Sequence, residues 1–412
     1  MSMTNIANMD NKPKLIRRLS LPLLVFYGIG TILGAGIYVL VGKVAGEAGF
    51  YAPFSFLLAS VLAAFSAFSY AELAARFPRS AGEAIYIEEG FGIKKLSILV
   101  GLMIVAVGII SVAALAHGFA GYFKVFFDSP ETLIVVSLVL FIGLVCGWGI
   151  KQSVIIASAM TIVEIIGLLI ILYVGRDAFN LLPAKIPEMI PPFGTSVWAG
   201  IFMGSFIAFY AYLGFEDIVN VAEEAIKPRI NIPLAIIISL IVTTIFYVLI
   251  SVVAILLVSP QELASSNAPL AMIYNITTEQ SPLVITIISL ISVMNGALIQ
   301  VIMASRVLYG MSRKHWLPEK IGAINATTHT PLVAIIIVTG FILLFALIFP
   351  LLSLAKITSF ITLMIFMLIN FALLKMKYSK REHHGFAVPI WVPFIGGITT
   401  LLFILYLMTT FI

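Results

Sequence analysis

One cysteine, Cys146, stands in 412 residues. That excludes a disulfide framework and any thiolate metal cluster. Charge is equally scarce: Asp, Glu, Lys and Arg make up 10% of the chain, against about 25% in an average soluble domain. With 61% hydrophobic residues and a mean hydropathy of +1.13, the chain reads as an all-α integral membrane protein. The five histidines (His117, His315, His329, His383 and His384) share no helix face at metal-ligand spacing, so neither a metal nor a cofactor is expected. A sequence pI near 9.1 would suit nucleic acid, but the basic residues cluster at the ends of apolar runs. The positive-inside bias accounts for them, and no nucleic-acid partner is expected. Nor does any linker, charge run or low-complexity segment set off a second domain.

What the chain has in quantity is long apolar runs. Eleven of about bilayer-spanning length lie at roughly 21–45, 50–76, 95–124, 131–148, 153–174, 196–222, 233–258, 281–312, 332–349, 351–374 and 389–411. The last join but one, at Pro350, leaves almost no loop. With residues 1–20 as a cytoplasmic segment, 19 of the 24 Lys and Arg residues fall on the inner side. An odd number of spans then puts the C-terminus outside. The basic N-terminal segment runs into a span too long for a signal h-region, so no cleaved signal is expected. These features predict one transmembrane domain over 21–412, seated in the cytoplasmic membrane with the lipid bilayer as its solvent. In the longest polar insertion, Ser259-Pro260-Gln261-Glu262 has the capping-box pattern that starts a short surface helix.

Two of the runs are weakened at their middles. "GIGTILGAGIYVL" (28–40) carries Gly28, Gly30, Gly34 and Gly36, and the sixth run carries Gly200, Gly204 and Gly214 followed by Glu216-Asp217. Taken alone, glycines four apart mark close helix packing as readily as unwinding. The two runs are five apart, however, and each would open a five-helix half, about 21–174 and 196–374, with 389–411 appended. Interrupted spans at matching positions of two halves point to a transporter binding site. An unpaired peptide group in hydrocarbon costs several kcal/mol, so a break is tolerable where a ligand, ion or buried water takes up the freed groups. Half-helix N-termini, with their free N–H groups and partial positive charge, suit a carboxylate.

These stretches resemble the amino acid–polyamine–organocation (APC) superfamily of permeases, including proton-linked and cationic-type amino acid transporters. "GIGTILGAGIYVLVGKVAGEAG" is similar to its first-span signature and "SYAELAARFPRSAGEAIYIEEGFG" to the one joining spans two and three. "FYAYLGFEDIVNVAEEAIKPRINIPLAI", "ASRVLYGMSRKHWLPEKIGAINATTHTP" and "SLAKITSFITLMIFMLIN" resemble its later signatures, in order. The resemblance implies a LeuT-like fold of two inverted five-helix repeats plus one extra helix, eleven spans in all, that moves an amino acid substrate by alternating access. It differs from most members in having no twelfth span, which puts in doubt any dimer contact made through one.

By the same resemblance, the substrate carboxylate would meet Thr31, Gly34, Ala35 and Gly36, and the substrate amine the carbonyls around Phe209, Ala211 and Tyr212. Tyr210 falls where the family places an aromatic that closes over substrate; an aromatic packed in a membrane core is the other reading. Glu164 stands out on chemistry alone. It lies about 16 Å along its helix from Ser153, near mid-bilayer, where a carboxylate costs several kcal/mol, and no opposite charge lies within one turn. In proton-linked relatives a lysine commonly stands near this position. Glu164 is therefore either the group that couples transport to protons, or a structural carboxyl hydrogen-bonded to span one or eight. Sodium is the alternative coupling ion, with Glu164 as a ligand. Glu223 and Glu224 close the sixth run, where the helix dipole disfavours acids; Arg76 or Arg79 is a candidate partner for an inner ion lock, and a solvated helix end is the alternative. Glu216, nearer the break, suits an inner gate or a protonation site. Ser111 is a milder cavity-facing candidate. His117 either lines the pathway or is a satisfied structural group, and Asn295, Gln300 and Asn370 read as interhelical hydrogen-bonding groups.

The composite expectation is a secondary amino acid transporter, by proton symport or exchange. A channel would need a regular polar stripe along its spans, and none is present. An enzyme would need clustered catalytic groups, and no Ser-His-Asp, HExxH or paired-aspartate motif occurs on any run. The small apolar residues at both breaks favour a neutral substrate, while the cationic-type resemblance keeps a basic one open.

Overall fold

The computed structural model describes residues 17, 19–34, 36–79, 82–148, 153–193, 195–325, 328, 330–379 and 385–411. Helices α1 (Leu21–Leu33), α2 (Gly36–Ala48), α3 (Ala52–Arg76), α4 (Gly82–Phe91), α5 (Lys94–Phe123), α6 (Glu131–Trp148), α7 (Ser153–Val174) and α8 (Leu182–Met189) form the first half. The second contains α9 (Thr195–Ala211), α10 (Pro228–Leu257), α11 (Pro260–Ser265), α12 (Pro269–Thr278), α13 (Leu283–Arg313), α14 (Leu332–Ile348), α15 (Leu351–Tyr378) and α16 (Trp391–Phe411). No β-strand occurs among the described residues. Among the described residues, eight helical stretches are long and apolar enough to cross a membrane, and α6 and α14 add two shorter apolar helices.

The ends of these helices follow from local chemistry. Proline occupies the first turn of α1, α3, α10, α11 and α12, where its missing N–H costs nothing. This starts α10 at Pro228, earlier than the hydropathy alone predicts. The capping box at Ser259 and Glu262 is formed, and α11 follows it as expected. Lys375 and Lys377 extend α15 to Tyr378 by complementing the C-terminal end of the dipole. The short helices α4, α8 and α12 were not expected, because none carries a full apolar span.

The buried apolar residues form one continuous core from Leu19 to Leu407. Five helix pairs dominate its long-range packing: α3 on α10, α5 on α13, α2 on α9, and α15 on both α5 and α16. Glu72 ties one end of the bundle together. It is fully buried; Oε1 takes Arg76 at 2.6 Å, and Oε2 takes Lys377 Nζ and the Val388 N–H, each at 2.7 Å. Asn370 of α15 likewise bonds Ser66 and Ser69 of α3, at 3.0 and 2.6 Å, an interhelical role like that expected for it.

Candidate functional site

Both weakened runs are interrupted. The first ends its α-helix at Leu33 and restarts at Gly36; the second leaves α9 at Ala211, turns through residues 212–215 and continues as a 3-10 segment, Glu216–Glu224. The interruptions lie against each other. An ideal Cβ on Gly36 would stand 2.2 Å from Ala211 Cβ, and one on Gly214, whose φ is +128°, would stand 2.9 Å from the Thr31 carbonyl carbon. Only glycine satisfies both the contact and the backbone at Gly214. Upstream, Gly30 and Gly34 do serve close packing: they abut Thr161 on α7 and the Ser292 carbonyl on α13.

The freed peptide groups are partly taken up. The Tyr247 hydroxyl, from α10, lies 2.6 Å from Ile32 O and 2.7 Å from Ala211 O. One phenol thus reaches a carbonyl at each break, although it has a single proton to donate. Its ring packs on Tyr212, centroids 5.0 Å apart, and on Phe56 at 5.6 Å. Ser292 Oγ donates to Gly34 O at 3.2 Å, and the Phe209 carbonyl accepts the Tyr212 N–H at 3.0 Å. At the start of α2, Gly36, Ile37 and Tyr38 have N–H groups with no acceptor in their own helix. The junction therefore presents donors from α2 and carbonyls with a spare lone pair from α9.

The expected site residues are distributed as follows. Thr31, Gly34 and Gly36 border the first break, but the Thr31 hydroxyl turns back to donate to Tyr27 O at 2.5 Å. Ala35 lies outside the described residues. Phe209, Tyr210, Ala211 and Tyr212 line the second break, all buried. The Tyr210 hydroxyl lies 3.0 Å from Ser111 O, to which it donates, and 2.9 Å from Ser111 Oγ; the aromatic is pinned to α5. Phe209 meets Phe366 of α15 at 5.7 Å between centroids, and Phe366 also meets Phe215 and Tyr70.

Glu164 is fully buried beside the first break. Asn295 Nδ2 donates to its Oε1 at 2.8 Å, Oε2 has no protein partner, and Tyr38 OH donates to its carbonyl at 2.6 Å. The carboxyl thus joins α7 to α13, the eighth span, while its backbone holds α2. Glu216 Oε2 accepts the Gly214 N–H at 2.9 Å, bracing the turn, and Asp217 accepts from Gln300 Nε2 at 2.8 Å. Arg76 pairs with Glu72; the side chains of Glu223 and Glu224, its proposed partners, lie outside the described residues. His117 bonds Glu131 at 2.8 Å and the Ala346 and Phe349 carbonyls at 3.0 and 3.1 Å, away from the breaks. Among the described residues no group of His, Cys, Asp and Glu is placed to hold a metal ion.

Sequence reasoning missed Tyr247, whose only signal is a polar aromatic in an apolar run. Tyr247→Phe should leave a buried carbonyl without its donor, at a cost of about 1–2 kcal/mol. Measured by substrate-induced thermal shift across a concentration series, binding should weaken roughly five- to thirty-fold, with the unliganded melting point changed far less.

A family model described as amino acid permease matches residues 19–412. Similar proteins include a vacuolar cationic amino acid transporter 4 of Arabidopsis thaliana, 31% identical over 90% of this chain and 65% of that protein. A branched-chain amino acid permease of Bacillus subtilis is 27% identical over 98% of this chain and 90% of its own length. Its Lactococcus lactis counterpart is 26% identical over 88% and 81%. This chain thus spans just under two thirds of the plant transporter. A multi-pass helical protein whose two interrupted helices meet at Gly36 and Gly214, matched by that model over nearly its full length, belongs to the amino acid permease family, a family of transporters rather than enzymes.

Proposed function

We propose that the chain is a secondary transporter of amino acids in the cytoplasmic membrane, working by alternating access. The observation that carries this reading is the meeting of the two interruptions, Gly36 on Ala211 and Gly214 on Thr31, with Tyr247 across both. A zwitterion matches what they offer. Its carboxylate takes the N–H groups at the start of α2, around Gly34 and Gly36. Its amine takes the carbonyls around Phe209, Ala211 and Tyr212. Tyr210 closes over it by leaving or regaining Ser111, while Glu216, Arg76, Glu223 and Glu224 serve the inner gate.

A LeuT-like layout of two inverted five-helix repeats and an appended eleventh span suits the packing. Counting α1–α2 as span one and α9 with the 3-10 segment as span six, span one packs on six, two on seven, three on eight and four on nine. Equivalent elements of two repeats meet in this way near a pseudo-two-fold axis. Under this reading 1–20 is cytoplasmic, 21–412 is one transport domain, and the C-terminus is external.

Coupling is assigned to protons through Glu164, or to exchange. The carboxyl is buried and accepts from Asn295, while the Glu164 backbone carbonyl accepts from Tyr38 on the helix that starts the carboxylate site. Sodium, with Glu164 as an oxygen ligand, is the competing ion. The apolar rings of Phe209, Phe215 and Phe366 beside the break, with Glu216 and Asp217 already engaged, favour a neutral, apolar side chain such as that transported by the branched-chain permeases named above. In proteoliposomes, unlabelled internal substrate should accelerate uptake of labelled external substrate, which neither a channel nor an enzyme would do. No acceleration with any of the twenty amino acids would overturn the transporter reading. Acceleration by arginine or lysine alone would overturn the neutral-substrate assignment. Sodium dependence at fixed pH would reassign the coupling ion.

A further inference from the structure

The transport reading leaves Glu83 unused. It opens α4, between the second and third spans, and is 1% exposed. Its Oε2 has no protein partner. Around it stand more buried polar groups in the same condition: both amide atoms of Asn220 and the hydroxyls of Tyr70 and Tyr86. The side chain of Asn220, 5% exposed, faces Glu83 from the 3-10 segment. Glu216 acts on Glu83 electrostatically, and both act on Asp217. Tyr70 of α3 feels all three carboxyls and has its ring 6.3 Å from that of Tyr86. Three buried carboxyls thus lie within electrostatic reach of one another.

Among the bases near it in the fold, Arg79, four residues before Glu83, is exposed. Arg76 and Lys377 serve Glu72. From α13, Lys314 pairs with Glu88 at 2.5 Å, one to two turns along α4 from Glu83. From α15, Lys375 lies over Phe91 and 3.4 Å from its carbonyl, about 12 Å along the helix. From α5, Lys94 and Lys95 are exposed. Asp217 has the Gln300 amide and Glu216 the Gly214 N–H, both neutral donors. Three ionised carboxylates without a cation are too costly to bury together. Nor are these groups placed as a metal site. A proton needs no coordination shell, and a protonated carboxyl is also the donor that the empty acceptor on Asn220 lacks.

We propose that Glu83, with Glu216, Asp217 and Asn220, forms a second proton-binding site, separate from Glu164, and that Glu83 holds its exchangeable proton. The site joins α4 to the segment just beyond the second break, so its protonation bears on the packing of that segment against α3 and α4. With the proton bound, Glu83 donates to the Asn220 carbonyl oxygen. Without it, a carboxylate confronts Glu216 and Asp217, and the segment is pushed away.

Burial, aided by the charge of Glu216, pushes the Glu83 carboxyl up from its usual 4.5 to about 8. The folded protein therefore binds more protons than the unfolded chain between these values, and its stability declines as pH rises through that window, levelling off above about 8. The test is an infrared titration of the full-length protein in lipid, using protons alone as the probe. Wild type should lose a protonated-carboxyl band as pH passes about 8. That band should be absent from Glu83→Gln, present in Glu164→Gln, and displaced in midpoint in Glu83→Asp. The thermal midpoint of Glu83→Gln should also fall less than that of wild type across the same window. Identical titrations of wild type and Glu83→Gln would overturn the proposal, as would an unmoved midpoint in Glu83→Asp should the glutamine variant not fold. No substrate or transport enters the measurement, so the outcome is independent of the zwitterion site and of Glu164.

Discussion

Uptake should fall by about two orders of magnitude when Gly36 is replaced by alanine, on the scale set by ångström-level misplacement of a reacting geometry. The added methyl would stand 2.2 Å from Ala211 Cβ, 2.4 Å from its Cα and 2.8 Å from its carbonyl oxygen. Two of those three atoms are backbone, so no rotamer change relieves the clash; the two breaks must move apart. Overpacking of this kind typically costs about 1–3 kcal/mol of stability, which a membrane bundle with so continuous a core tolerates. The loss of function should exceed the loss of fold, because separation occurs where α2 donors and the Ala211 carbonyl are proposed to face the same ligand. Gly340→Ala is the matched control. It lies on α14, and a Cβ there meets nothing within 4 Å, so uptake and thermal midpoint should both stay near wild type. If Gly36→Ala transports normally while folding normally, the junction of the two breaks is not where substrate binds.

The contrast between what could and could not be foreseen follows sequence distance. Helix ends are local: apolar run length, first-turn prolines, the Ser259–Glu262 box and terminal lysines lie within a few residues of what they determine. The spans therefore stood out from the chain alone, as did the two breaks, which announce themselves as glycines inside apolar runs. Partners are not local. Tyr247 is 215 residues from Ile32, and Asn295 is 131 from Glu164; nothing in either neighbourhood names the other. Glu83 was hidden for another reason. It follows Gly82 in a stretch with the polarity of a surface loop, and the packing of α4 on α15 and α5, with Val219 of the 3-10 segment against Gly82, turns that acid inward. Arg76 also has a local partner, Glu72, at the ordinary i−4 spacing of a helical ion pair.

Accumulation driven by a pH gradient should be lost in Glu164→Gln, while exchange without a gradient falls far less. Glutamine keeps the volume, and its carbonyl oxygen can still accept from Asn295 Nδ2, now 2.8 Å from Oε1. The tie between α7 and α13 therefore survives the substitution, and what disappears is the capacity to take and release a proton. Asn295→Leu separates the two roles from the other side. It removes the donor but leaves the carboxyl, so it should shift the pH at which uptake is half-maximal without abolishing the dependence. Breaking a hydrogen bond to a group that can carry charge is worth about 1.5–3 kcal/mol, or roughly one to two pH units of displacement. The coupling has a short path: Glu164 O accepts from Tyr38 OH at 2.6 Å, and Tyr38 lies in the first turn of α2, where the substrate carboxylate is assigned. The residue that gains or loses the proton is thus tied, through its backbone carbonyl, to the helix end proposed to open and close around substrate. Uptake by Glu164→Gln that still follows the gradient would reduce this carboxyl to a structural tie between α7 and α13.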